Sequence, residues 1–125
     1  MKAMINTFFA DTYALIEILN GHPDYTPYAG EKLLTTQYNL IELYYHAMQT
    51  WGNEAADLQL KMLSKLCIKI THTSINYAMK FKLQYKKEKL SYVDCIGYSL
   101  AQELKIPFLT GESKFKDKEN VEWIK

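Results

Sequence analysis

PFLTGESKF, residues 107–115, reads as a short buried strand that leaves the core through Thr110-Gly111 and at once presents a carboxylate, Glu112. An acid at the tip of a buried strand is unfavourable unless something of opposite charge meets it. Working outward, three more acids stand in comparable places. Asp11 closes INTFFAD (5–11), a run of β-formers that leads into TYALIEILNG, where Ala14, Leu15, Ile18 and Leu19 keep a helical spacing up to Asn20-Gly21. Glu42 lies on the helix that follows KLLTT (32–36), a second short strand. Asp94 falls in the first turn of a helix that Ser91 opens and that runs to Leu104.

The remaining pattern alternates in the same way. His22 to Gly30 is a Tyr/Pro-rich connection with room for a short helix, and Gln37 to Trp51 is helical up to Gly52. Asn53 is placed to cap a further helix through Ser64, and KLCIKI (65–70) is strand-like. Thr71 to Lys87 reads as one long helix, with Ile75, Met79 and Leu83 on one stripe and Tyr77, Phe81 and Tyr85 on another. VEWI (121–124) is expected as a last strand at a sheet edge. Strands alternating with helices predict a three-layer α/β/α sandwich with a mostly parallel central sheet, built as a single domain over residues 1–125. In such sheets ligands bind beyond the carboxyl ends of the strands, where the four acids fall.

Each acid has a local explanation. Asp11 is a helix cap, Ser91-Tyr92-Val93-Asp94 has the form of a capping box, Glu112 is a loop acid and Glu42 a surface helix residue. Their joint placement poses a different problem. Carboxylates about 6 Å apart at an effective dielectric near 20 repel by roughly 3 kcal/mol per pair. Several such pairs compete with a domain's whole stability of about 5–15 kcal/mol. Either the acids do not converge or a cation resolves the repulsion, and an all-oxygen donor set suits Mg2+ or Mn2+.

The composition narrows the chemistry further. All fifteen basic residues are lysine, which excludes an arginine finger or a bidentate guanidinium clamp on phosphate. A net charge of +1 argues against nucleic-acid binding by bulk electrostatics alone. Cys67 and Cys95 lack metal-ligand spacing and read as reduced thiols. MKAMINTFFAD does not have the form of a signal peptide, and no stretch has the length of a membrane span, so the expected location is cytoplasmic with no membrane partner.

Taken in order, Asp11-Thr12 after the first strand, TTQYNLIEL, LSYVDCIGYSLA and LTGESKF resemble the PIN domain family, and within it the small VapC-type toxin ribonucleases. The resemblance covers nearly the whole chain. It implies a divalent-metal-dependent endoribonuclease with Asp11, Glu42, Asp94 and Glu112 as its acids, and with Asp11, Asp94 and Glu112 on Mg2+ or Mn2+. Glu42 then contributes a ligand or orients the attacking water. Thr12, Thr110 and Asn39 support the carboxylates. The resemblance also implies an RNA substrate, a homodimer and a small antitoxin protein as partner. In the family the last acid is usually Asp, and here it is Glu112, with Asp117 a nearby substitute. That departure motivates the alternative of a catalytically reduced PIN-like module that binds RNA or protein.

Residues 61–89 carry eight lysines against one acid, Glu88, so a solvated helix face and a lysine-lined RNA approach through Lys82 and Lys86, with Tyr77 or Tyr85 for stacking, are both open readings. His46, four residues after Glu42, reads as a packed or solvent-facing histidine rather than a ligand. Tyr38, Tyr44 and Tyr45 offer a partner surface or core filling. No serine-hydrolase elbow, P-loop or dinucleotide fingerprint occurs, and a receiver-like phosphoacceptor lacks its acidic pair on the first strand.

Overall fold

The computed structural model describes residues 6–125. Four strands, β1 (Thr7–Ala10), β2 (Lys32–Leu34), β3 (Phe108–Thr110) and β4 (Val121–Trp123), form one all-parallel sheet in the order β2-β1-β3-β4. The helices are α1 (Thr12–Leu19), α2 (Gln37–Trp51), α3 (Asn53–Leu63), α4 (His72–Gln84) and α5 (Tyr92–Leu104). The expected three-layer α/β/α architecture is therefore present. The expected strand start at Ile5 lies outside the described residues. Among the described residues no helix is long and apolar enough to cross a membrane.

Side chains alternate across a strand, so the sheet feeds two cores. Phe9 and Phe108 face α4 and α5 and pack with Ala78, Phe81, Tyr98 and Phe115. Phe8, Ala10 and Leu109 face the other way, onto Leu15 of α1 and Leu40 and Leu43 of α2. Gly97 sets how closely α5 approaches: a Cβ there would stand 2.6 Å from Phe9 Cε1 and 3.2 Å from Phe108 Cε1. Asp94, one turn earlier on α5, is thereby held against the carboxyl ends of β1 and β3.

Three local expectations are corrected. KLCIKI is not a strand: a 3-10 turn covers Ser64–Leu66, and only Cys67 bridges to Thr35, flanked by Thr35 N–H to Leu66 O (3.1 Å) and Ile68 N–H to Thr35 O (2.8 Å). Pairing cannot extend because Thr36 already caps α2. Asn53 is the first residue of α3, with Gly52 at φ 91° in the cap position. The long helix stops at Gln84, because Tyr85 leaves helical geometry and Lys89 turns left-handed at φ 53°. α4 buries Ser74, Ala78 and Phe81, while Ile75 and Leu83 of the other expected stripe face solvent.

Candidate active site

Asp11 follows β1 directly and begins α1, because its Oδ1 accepts the Ala14 N–H at 2.8 Å. The capping role is thus present, and the residue is only 1% exposed, too buried for a simple surface cap. Its Oδ2 accepts the hydroxyl of Thr110 at the end of β3. The same Thr110 oxygen accepts the Glu112 N–H at 3.0 Å, so one side chain fixes both an acid and the backbone of the next.

Glu112 is held from a second side. Its carbonyl accepts the Trp123 indole N–H at 3.0 Å, and Trp123 lies opposite Thr110 in the β3–β4 register. Gly111 makes that turn possible. A Cβ there would meet Tyr13 Cε1 at 2.1 Å and the Ile124 carbonyl oxygen at 2.6 Å.

Glu42 ends a hydrogen-bond series that begins in the core and runs to the surface. Thr36, which caps α2, donates to Asn39 Oδ1 (2.6 Å), Asn39 Nδ2 donates to Thr12 Oγ1 (3.1 Å), and Thr12 donates to Glu42 Oε1 (2.6 Å). Asn39 is fully buried, so its amide has no solvent to turn toward. The series ends on a carboxylate that is itself exposed.

Asp94 accepts no bond that would close the expected capping box. Ser91 caps α5 by accepting the Asp94 N–H at 3.0 Å, and the reciprocal contact is absent. Its carboxyl is pushed up to about 6 from 3.8, chiefly by burial and then by the negative charges of Glu112 and Glu42, while hydrogen bonding with the Ser91 side chain and, more weakly, the charge of Lys114 oppose. Burial raises Asp11 well above the usual range, the Thr110 and Ala14 hydrogen bonds oppose this, and Asp94 and Glu112 add to it. Asp94 thus feels the charges of Glu112 and Glu42, and Asp11 those of Asp94 and Glu112.

Among the described residues the ion pairs are His22–Glu17 and Lys118–Glu88, so none of the four acids is neutralised by a salt bridge. Nor, among the described residues, are three or more His, Cys, Asp or Glu side chains arranged to hold a metal ion as they stand. Like charges sharing a pocket are expected to stop short of ligating distance. The donor chemistry, carboxylate oxygens alone, suits a hard divalent cation.

Other expected participants are placed elsewhere. Asp117 is exposed on the chain returning to β4, and its charge does not act on Asp11 or Asp94, so it does not substitute for Glu112. With Tyr77 and Tyr85 it lines a separate cavity of about 420 Å³. His46 packs edge-on against Trp51 and meets Thr50. Tyr44 donates to Asp57 of α3 (2.5 Å), while Tyr38 and Tyr45 are exposed. Lys82 donates to the Leu90 carbonyl and lies 4.6 Å from the centre of the Tyr92 ring; Lys86 is exposed beside it. Cys67 and Cys95 are free thiols. A cavity of about 670 Å³ lined by Tyr38, Leu60, Cys67 and Ile68 contains none of the four acids.

Sequence reasoning passed over Trp123, Tyr13 and Lys114. No local pattern marks them, since Trp123 acts through register, Tyr13 through a close approach and Lys114 through a turn.

The family model described as PIN domain matches residues 8–121. A search of curated protein sequences returns no match. Among solved structures, Mycobacterium tuberculosis VapC20, described as a sarcin–ricin loop cleaving toxin, has 17% identity and a TM-score of 0.76, with 91% of this chain and 96% of that one covered. A toxin–antitoxin complex from Klebsiella pneumoniae has 19% identity and a TM-score of 0.72 over 91% and 94% of the two chains. Rickettsia felis VapBC2, bound to a DNA fragment from its promoter, has 19% identity and a TM-score of 0.71 over 94% and 97%. At these identities the likeness establishes the fold.

Proposed function

The chain belongs to the PIN domain family, and on that premise we propose that it is a divalent-metal-dependent endoribonuclease, the toxin of a toxin–antitoxin pair, acting as a single domain over residues 1–125. What supports this reading is the electrostatic reach of Asp94 to Glu112 and Glu42 and of Asp11 to Asp94 and Glu112 at the carboxyl edge of a parallel sheet, with no salt bridge to any of the four among the described residues.

In this reading Asp11, Asp94 and Glu112 would hold Mg2+ or Mn2+, and Glu42 would contribute a further ligand or orient the attacking water. A bound divalent ion supplies Lewis-acid chemistry, acidifying water and stabilising charge on the reacting phosphate. Everything else is the work of the chain. Thr110 fixes one oxygen of Asp11, and Thr12, itself held by Asn39, fixes one oxygen of Glu42. Burial of Asp11 and Asp94 limits competing water and strengthens any electrostatic contact in the pocket. Above about pH 6 Asp94 is ionised and able to serve as a ligand. Glu112 presents a longer side chain than the family's usual Asp, and the Trp123 and Thr110 contacts on its backbone support it at the pocket.

The partners follow the same reading: an RNA substrate, a small antitoxin and a second copy of the chain. Tyr38, Ile41 and Tyr45 of α2, 50%, 60% and 63% exposed, supply an apolar face beside Glu42 for a protein partner. Free cysteines accord with a reducing cytoplasm.

The test is cleavage of single-stranded RNA by the full chain with Mg2+ or Mn2+, with and without EDTA, beside Asp11→Asn and Asp94→Asn. Chelation and each substitution are expected to lower the rate by roughly 10²-fold or more. Activity that survives both substitutions ends the assignment. RNA affinity without any cleavage selects the binding-module alternative instead.

A further inference from the structure

The surface flanking the acidic pocket carries an unusual combination. Tyr92, the first residue of α5, is 63% exposed although its ring is large and flat. Lys82 anchors it from the neighbouring helix: the ammonium lies 4.6 Å from the ring centroid and donates to the Leu90 carbonyl just before α5. A cation fixed against an aromatic ring restricts its rotation at little entropic cost on binding. Together with Lys86 and Lys89, these residues line an open cavity of about 400 Å³. The left-handed turn at Lys89 directs its carbonyl to Lys114 Nζ at 3.4 Å. Lys114 in turn follows Glu112 by two residues and is the cation whose charge reaches Asp94. It therefore stands between the aromatic cavity and the acids.

Resting on the ribonuclease reading above, we propose that this cavity is a nucleotide subsite for single-stranded RNA: Tyr92 stacks the base beside the cleaved linkage, while Lys114 and Lys89 bind the intervening phosphate. Flat exposed rings combined with cations are how single strands are gripped without sequence readout. In a chain without arginine the phosphate contacts must come from lysine. Lys82 then acts by setting the ring, and Tyr92, rather than Tyr77 or Tyr85, stacks the base.

The test is equilibrium binding of a short fluorescent single-stranded oligouridine by the full-length protein, followed by anisotropy in EDTA so that no hydrolysis occurs, at several salt concentrations. Tyr92→Ala is expected to weaken binding by roughly 5- to 100-fold, and Tyr92→Phe, which keeps the ring, to stay within about twofold. Lys114→Gln is expected to flatten the salt dependence by about 0.7 in the log–log slope. Lys105→Gln, exposed at the opposite end of α5 from Tyr92, is expected to leave affinity nearly unchanged and serves as the charge control. Wild-type binding with unchanged affinity in Tyr92→Ala and Lys114→Gln overturns the subsite and leaves the nuclease reading standing. Equal losses in Tyr92→Ala and Tyr92→Phe also overturn it. A wild-type protein that neither binds nor cleaves single-stranded RNA removes the nuclease reading, and the subsite falls with it.

Discussion

Replacing Asp94 with Asn separates what the acidic pocket does for function from what it does to stability. Asp94 carries a carboxyl raised from 3.8 to about 6 by burial and by the charges of Glu112 and Glu42. The folded protein thus holds this proton more tightly than the unfolded chain does. Stability rises as pH falls from about 6 toward 4, and the penalty of the ionised group is fully present above about pH 6. A carboxyl raised from 3.8 to about 6 corresponds to roughly 3 kcal/mol against folding at pH 7.5. Asn has no charge to desolvate but gives up the carboxyl's favourable hydrogen bonding with Ser91, which leaves a net gain of about 1–2 kcal/mol. At about 2 cal/mol/K of unfolding entropy per residue, that gain raises the Tm of this chain by roughly 4–8 °C.

The assay is thermal unfolding of the EDTA-dialysed full-length protein and of Asp94→Asn at pH 7.5 and pH 5. The variant is expected to be the more stable at pH 7.5. The desolvation part of the gap should shrink to roughly half at pH 5, where most folded wild-type molecules hold the proton. Saturating Mn2+ should then reverse the order, since an ion present at about 100 times its Kd stabilises the wild type by about 2.7 kcal/mol. The reasoning is refuted if metal-free Asp94→Asn is less stable than wild type by an amount that does not change with pH.

Thr12→Val should release Glu42 and leave the buried Asn39 amide without its partner, costing about 1–3 kcal/mol and lowering kcat, whereas Thr12→Ser should retain both; urea unfolding and single-turnover cleavage distinguish them. At subsaturating Mn2+ the rate of RNA cleavage should fall as pH drops through about 6, because a protonated Asp94 disfavours metal binding; a flat pH–rate profile down to pH 5 contradicts the assignment. Gly97→Ala gains helix propensity of about 1 kcal/mol yet places a Cβ 2.6 Å from Phe9, so a net loss of about 1–2 kcal/mol is expected by chemical denaturation. Gly111→Ala, whose Cβ would meet both the Tyr13 ring and the Ile124 carbonyl, should lower stability and cleavage together, read by Tm and rate on one preparation.

Local pattern went furthest where local physics decides. Alternating apolar strands and amphipathic helices, with Asp11 and Ser91 as caps, fix the order of elements and set acids near strand ends, because capping and periodicity act within a few residues, whereas Thr36, read as the end of a strand, caps α2 instead. The same logic failed for KLCIKI, since whether an apolar run pairs depends on the neighbouring chain, and β2 turns into α2 after Thr35. It also failed for the α4 stripes, because the packed α5 selects which face is buried. Only the tertiary structure brings Asp94 within electrostatic reach of Glu112 and Glu42, and Asp11 within reach of Asp94 and Glu112. Gly97 and Gly111 lack a Cβ, so α5 and the β3 tip can approach β1 and α1 this closely. Repulsion of this kind is set by distance through space, which spacing along the chain does not encode.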